Sequence, residues 1–376
     1  MRDVVEIGLG RVARRGYHLH DIAVVPSRRT REIGDVSTVW QLDAYQFGIP
    51  CVAHPSDATM SPESAVALGR LGGLGVLNVE GLWCRYANPE KILQELAHLA
   101  DPASATRRLQ EVYSEPIKPE LIVERVRQMR EGGVTVAVRV SPQHTLALAP
   151  VILDAGIDIL VIQGTLVSAE HVSTGDEPLN LKEFIADLDL PVIVGGCTNS
   201  QTALHLMRTG AAAVIVGIGG DEWSTTDRVL GIRVPMATAI ADAAEARRAY
   251  LDETGGRYVH LIADGDMRTS GDIAKALGCG ADAVMLGEPL SRCDEAPAGG
   301  AWWHSAASHP NLPRGSYGEA EEPLGTMETL LFGPASEPDG CVNLFGGLRR
   351  SMAKCGYRDL KAFQKVGLVL DPGCAG

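Results

Sequence analysis

The sequence predicts a (β/α)8 barrel, and three observations carry that reading. Eight short apolar runs recur along the chain, at residues 49–53, 74–77, 136–140, 159–162, 192–194, 214–216, 259–263 and 283–286. They are continuous rather than alternating, as expected of strands buried on both faces of a parallel sheet. A helical stretch follows nearly every run, which makes each pair a βα unit. In such a barrel chemistry sits on the loops past the carboxyl ends of the strands, so the informative residues are those just beyond each run.

Taken in order, the elements carry ordinary start and stop signals. After the first run, Ser61-Pro62-Glu63 opens a helix with a capping hydroxyl and a first-turn proline. The fifth run is followed by Asn199-Ser200, a second cap, ahead of Ala203, Leu206 and Met207. Gly210, Gly278 and Gly280 are expected to close helices, where a left-handed residue is wanted. Connections are expected to be short.

With 376 residues and 45% hydrophobic content, residues 1–376 read as a single barrel domain with insertions. No run of about 18 apolar residues is present, and the segment 1–15 is charged without a signal-peptide core, so a soluble cytoplasmic protein is expected. The net charge of −13 argues against a nucleic-acid surface. Cys51, Cys84, Cys197, Cys279, Cys293, Cys341, Cys355 and Cys374 form no C-x-x-C pair, and His18 and His20 lack ligand spacing, so no metal site is expected. Gly8-Leu9-Gly10 is an incomplete glycine fingerprint that follows no buried strand.

Several blocks resemble the IMP dehydrogenase and GMP reductase family. They are Gly73-Leu74-Gly75-Val76-Leu77-Asn78, Val216-Gly217-Ile218-Gly219, Ile262-Ala263-Asp264-Gly265, residues 270–277 and 280–287, and Gly346-Gly347-Leu348-Arg349-Arg350-Ser351-Met352. Through Val25-Pro26-Ser27-Arg28-Arg29-Thr30, Val161-Ile162-Gln163-Gly164-Thr165 and Phe363-Gln364-Lys365-Val366-Gly367-Leu368 the chain is most similar to the actinobacterial IMP dehydrogenase-related paralogues. The resemblance implies NAD-dependent oxidation of IMP to XMP in guanine nucleotide synthesis, a purine nucleotide ligand and a homo-tetramer. The regulatory CBS pair of most family dehydrogenases has no room between Asn78 and the helix expected near Pro119.

The family reaction uses a cysteine thiolate that attacks C2 of IMP, then an arginine-bearing flap that helps hydrolyse the intermediate. Here the nucleophile position falls on Ser224, two residues before Thr226, and a serine without a base is a poor substitute. The flap arginine and tyrosine have no counterpart in residues 333–340, and Gln163 stands where the family aspartate meets the nicotinamide ribose. The resemblance also implies ligand contacts at Gly217, Gly219, Gly265, Gly287, Arg314 and Gly315, with Asp264 on the ribose hydroxyls.

The phosphate cradle is altered most. Where the family has a serine, a glycine, a serine and a tyrosine, this chain has Glu222, Asp266, Glu288 and Pro313. One anion about 5 Å from a phosphate charge costs roughly 3 kcal/mol at an effective dielectric of about 20. Two outcomes stay open at this point. The three acids converge and favour a cation or a metal-bridged phosphate, or they point to solvent or pair with Arg228, Arg233, Arg268, Arg292 or Arg314. Trp223, Trp302 and Trp303 suit core packing better than stacking on a base. The expectation is a degenerate site, with a non-catalytic purine-binding or regulatory paralogue, or an enzyme of changed substrate, as the alternatives to IMP oxidation.

Overall fold

The structure, a computed structural model, describes residues 4–99, 101–171, 178–220 and 222–371. Eight parallel strands follow one another round a ring: β1 (Cys51–Ala53), β2 (Val76–Asn78), β3 (Ala137–Val140), β4 (Ile159–Gln163), β5 (Val192–Cys197), β6 (Ala213–Val216), β7 (His260–Asp264) and β8 (Ala283–Leu286). The ring closes between β1 and the chain leading into β2. Val52 bridges Leu74, Ala53 N donates to Leu74 O at 2.9 Å and Leu74 N to Cys51 O at 2.8 Å. This is the (β/α)8 barrel expected from the apolar runs.

A helix follows each strand: α1 (Pro62–Arg70), α2 (Pro119–Glu131), α3 (Thr145–Asp154), α4 (Leu181–Ala186), α5 (Ser200–Arg208), α6 (Met236–Thr254), α7 (Ser270–Cys279) and α8 (Leu344–Lys354). Ser61 Oγ accepts from Ser64 N at 3.0 Å and Asn199 Oδ1 from Thr202 N at 2.9 Å, so both expected caps form. Gly280 ends α7 in the left-handed region at φ 119°, and Gly210 follows α5 at φ 99°. Gly278 is a correction: it lies inside α7, where a Cβ would sit 3.1 Å from Val366 Cγ1. It brings α7 close to the C-terminal segment instead of ending the helix.

β5 runs three residues past its apolar run, through Gly195 and Gly196 to Cys197. A Cβ on Gly195 would stand 2.5 Å from Ile215 O on β6, so only glycine admits the approach. The ladder continues where the hydrophobic signal stops.

The expectation of short connections fails after β4 and β6, and most at two other places. Between β2 and α2 the chain inserts helices Glu90–Ala97 and Pro102–Val112. Between β8 and α8 it inserts a one-turn helix Glu288–Ser291, a strand Trp302–Trp303 paired antiparallel with Tyr317–Gly318, and helix Met327–Phe332. The two excursions meet over the carboxyl ends of the strands, where Trp303 Nε1 donates to Tyr113 Oη at 3.1 Å.

At the opposite end, the buried Asp282 carboxylate just before β8 accepts from Arg247 Nη1 (2.6 Å), Tyr258 Oη (2.6 Å), Leu261 N (2.8 Å) and Gln364 Nε2 (2.9 Å). This ties α6, β7, β8 and the C-terminal segment together, on the face of the barrel that serves stability. No helix among the described residues is long and apolar enough to cross a membrane. Cys374 lies outside the described residues.

Candidate active site

The loop after β6 carries Gly217, Gly219, Glu222, Ser224 and Thr226. It lies against two partners. Gly219 N donates to Asp264 O at 3.3 Å, and a Cβ on Gly217 would overlap that same carbonyl, so both glycines let the loop dock on the end of β7. On its other side Ser224 bridges Gly315 antiparallel, and Thr225 N donates to Arg314 O at 3.2 Å. The sequence-predicted residues Ser224, Arg314 and Gly315 are therefore brought together.

Ser224 Oγ meets Thr226 Oγ1 at 2.9 Å. Two hydroxyls share that bond, and neither is a general base. No cysteine takes over the role among the described residues: the thiols of Cys51, Cys84, Cys197, Cys279, Cys293, Cys341 and Cys355 are all pushed upward, by burial first.

Asp264 ends β7 and is buried, and Gln163 Nε2 donates to its Oδ2 at 3.1 Å. Burial, then the neighbouring charge of Asp266, pushes the Asp264 carboxyl up to about 7, although the Gln163 amide works against this. Gly265 follows at φ 143°, where a Cβ would meet Gly219 O at 2.9 Å.

Glu222 and Glu288 converge on one guanidinium. Arg268 Nη1 donates to Glu222 Oε2 at 2.5 Å, and Arg268 Nε lies 3.4 Å from Glu288 Oε2. Arg292 Nη1 approaches Glu288 Oε1 at 3.6 Å, too far for a hydrogen bond. Glu288 is 6% exposed while Glu222 is exposed, and burial raises the Glu288 carboxyl against the pull of Arg268 and Arg292. Asp266 sits at φ 58° on the wall of the same small cavity, together with Glu222, Asp264 and Glu288. Both outcomes left open by the sequence are thus realised together: the acids gather, and two of them pair with arginine. Among the described residues no three His, Cys, Asp or Glu side chains are grouped to hold a metal ion.

The β8 excursion fills the rest of the barrel mouth. Ser56 Oγ donates to Trp303 O at 2.8 Å and Trp303 Nε1 to Tyr113 Oη, so the short strand is held from below. Trp302 then lies over Gly287, where a Cβ would meet its Cη2 at 2.6 Å, and His304 lies over Gly219, where a Cβ would meet its Nε2 at 2.9 Å. His54, just past β1, completes the wall with its ring centroid 5.4 Å from Trp302 and 5.3 Å from His304. Both histidines are buried and held neutral. Burial lowers them, His304 to about 4, and His304, then Arg139, lowers His54 further. The cavity that remains is about 60 Å³.

Sequence reasoning missed His54 and His304. His54 stands directly after the first apolar run, the position at which the barrel argument says to look. His304 carries no local signal, because its place depends on the long β8 excursion. Trp302 and Trp303 were expected to pack, and Trp303 does, while Trp302 also lines the cavity.

A second, larger cavity of about 590 Å³ opens over β2, β3 and β4. Arg139 links Glu80 (3.1 Å), Asn78 (3.2 Å) and Gln163 O (2.6 Å), and Arg314 Nη2 reaches Thr165 Oγ1 at 3.4 Å. Burial works to raise the Glu80 carboxyl, but Arg139, with hydrogen bonds from His144 and Ser141, holds it down to about 2. The Gln163 amide donates to Asp264 Oδ2 and, at 3.6 Å, lies against Met285 Sδ. It offers no carboxylate to a nicotinamide ribose.

The comparisons with known proteins agree with the fold. The sequence model of the IMP dehydrogenase / GMP reductase domain matches residues 16–320. An uncharacterized oxidoreductase of Mycobacterium leprae is 60% identical over 375 residues, covering 98% of this chain and 100% of the relative. An inosine-5'-monophosphate dehydrogenase of Methanocaldococcus jannaschii is 25% identical over 468 residues, covering 94% of this chain and 92% of its own. The crystal structure of an IMP dehydrogenase/GMP reductase-like protein from Corynebacterium glutamicum superposes with a TM-score of 0.93 at 54% identity, covering 98% of each chain. The chain belongs to the IMP dehydrogenase and GMP reductase family.

Proposed function

We propose that this protein is a paralogue that has kept the family barrel and its sugar-binding carboxylate but does not oxidise IMP. The observation that carries the reading is the Glu222–Arg268–Glu288 arrangement, which fills the position of the family's phosphate cradle with its own ion pairs. Ser224, bonded to Thr226 rather than to a base, supports it from the chemical side. Asp264 at the end of β7, buried on the wall of the small cavity, stands where the resemblance puts the ribose contact, so the proposed ligand is a purine or related ribosyl compound without the usual phosphate contact. The chain acts as one barrel domain of residues 1–376 without a CBS pair, as a cytoplasmic homo-tetramer. NAD is the family's cofactor and is not used here on IMP.

The second reading is an oxidoreductase of changed substrate, favoured by the large polar cavity over β2–β4 and by the name of the Mycobacterium leprae relative. A thermal-shift panel with IMP, XMP, GMP, free nucleosides, NAD and divalent metals separates the readings. A ligand present at 100 times its Kd adds about 2.7 kcal/mol of stability. Nucleosides are expected to raise the melting temperature and nucleoside monophosphates to leave it unchanged. A shift with IMP as large as that with inosine overturns the proposal.

A further inference from the structure

The larger cavity, over β2, β3 and β4, carries charged groups that the ribosyl reading of the barrel mouth leaves unused. We propose that it binds a small oxyanion, a carboxylate or a phosphate, against the imidazolium of His144 and the guanidinium of Arg314. The residues are not those of the proposed ribosyl site, so either reading can fail without the other. About 590 Å³ gives such a ligand room.

Charge comes first. Among the described residues Glu80 is the one carboxylate on the wall, and it stands with Arg85, Arg139, Arg314 and His144. Tyr113 and His309 are the other titratable groups there. Asp57 lies buried behind Tyr113, which donates to it, and feels both Arg85 and Arg139. Glu115, whose backbone carbonyl Arg85 reaches, pairs through its side chain with Lys118 at 2.9 Å. With Glu80 and Asp57 both ionised the cations remain in excess, so an anion is attracted.

Hydrogen bonding comes next. Arg139 is taken up by Glu80, Asn78 and Gln163 O, and Arg85 by the carbonyls of Glu80 and Glu115, so these two supply field rather than contacts. His144 is held differently. Its Nδ1 lies 3.1 Å from Glu80 Oε1 and 3.3 Å from Ser141 Oγ, and its Nε2 has no partner among the described residues. The Glu80 hydrogen bond raises the imidazole above its ordinary range, with burial, Arg85 and Arg139 acting the other way. Arg314 makes one bond from each terminal nitrogen, Nη1 to Leu312 O at 3.2 Å and Nη2 to Thr165 Oγ1 at 3.4 Å, which leaves a hydrogen on each. Donors of this kind bond most strongly to a charged oxygen. Glu80 has no carboxylate oxygen left to select a cation, because Oε1 accepts from Ser141 N at 2.7 Å and Oε2 from Arg139 Nη1 at 3.1 Å. Helix α3 also opens beside the cavity with no side-chain cap, an end that favours negative charge. Glu80, Arg85, Arg139 and His144 lie outside every block that carries the family resemblance, so the site belongs to this chain rather than to the shared motifs.

The test is calorimetric titration of the purified full-length protein with sodium oxalate and, separately, with inorganic phosphate, against sodium chloride at equal ionic strength. Saturable binding of at least one is expected, and the tighter of the two tells a carboxylate from a phosphate ligand. Oxalate stays ionised from pH 6 to pH 9, so its affinity should fall at least fivefold over that range as His144 loses its proton. His144→Gln should bind at least tenfold more weakly at pH 6 and lose most of the pH dependence. Arg314→Gln gives a second readout, with circular dichroism checking that each variant is folded. Absence of saturable binding by both anions, undiminished binding by a folded His144→Gln, or a pH dependence that survives in it would each overturn the proposal. Displacement of oxalate by NAD at tenfold lower concentration would assign the cavity to the dinucleotide and overturn it as well.

Discussion

In the proposed reading Arg268 governs the old phosphate position, because its guanidinium lies between Glu222 and Glu288. Removing both acids releases it. The double variant Glu222→Ser with Glu288→Ser should therefore gain affinity for IMP by tenfold or more over wild type in calorimetric titration, with Arg268 now facing the phosphate. Unchanged affinity would mean that the acids are not what excludes the nucleotide. Asp264 makes a separate prediction about pH. Its folded carboxyl titrates at about 7 against 3.8 for the free group, so the folded state holds the proton more tightly. Stability then falls as pH rises from about 4 to about 7, and the full penalty is present above 7. At 1.36 kcal/mol per unit the ceiling is about 4 kcal/mol. Asp264→Asn should melt higher than wild type at pH 8, and the gap should close towards pH 4; a gap independent of pH contradicts the assignment. At this scale much of the site was legible. Glu222, Asp264, Asp266 and Glu288, singled out in the sequence, come together on one cavity wall, while Ser224 and Gln163 line neither cavity. Which arginine paired with the acids was not legible, because Arg228, Arg233, Arg268, Arg292 and Arg314 were equally eligible and only the fold brings Arg268 between the loops.

The strands were legible element by element because each is buried on both faces and so writes a continuous apolar run. β5 shows the limit of that signal: its last residues are Gly195, Gly196 and Cys197, and the ladder there is fixed by a close approach to Ile215 rather than by hydrophobic side chains. The strand Trp302–Trp303 was invisible for a different reason. Two residues have no period, and what holds them is remote in sequence: Ser56 and Tyr113. Gly278 was misplaced because a glycine near a helix end usually closes the helix, whereas here the constraint is lateral contact with Val366. The stability of the elements rests on the other end of the barrel. Asp282 accepts four hydrogen bonds there and forms a buried ion pair with Arg247. Asp282→Ala leaves that guanidinium without its carboxylate, and should cost about 3–5 kcal/mol in denaturant unfolding without changing ligand specificity. A cost under about 1 kcal/mol would assign the network no structural weight.

At the scale of the whole molecule, apolar side chains stand exposed in several places, two of them near the ends of the described chain. The hairpin of Val4–Gly8 and Arg11–Arg14 presents Ile7, Leu9 and Val12, and the strand Gly367–Leu370 presents Leu368, Val369 and Leu370. Such surfaces are ordinarily covered in an assembly. Sedimentation should return four copies of the 39.9 kDa chain, and Ile7→Asp with Leu9→Asp should shift the population to smaller species. A monomer in the wild type contradicts the tetramer. The central claim is that a family barrel has given up covalent oxidation of IMP through loss of its thiolate together with internal closure of its phosphate position. The most direct measurement is IMP-dependent formation of NADH by wild type and by Ser224→Cys, side by side with a cysteine-containing family dehydrogenase. Groups that act as a unit fail together, so restoring the thiol alone should restore nothing. The account predicts no NADH above background from either protein. Turnover by either one within tenfold of the control enzyme would contradict it.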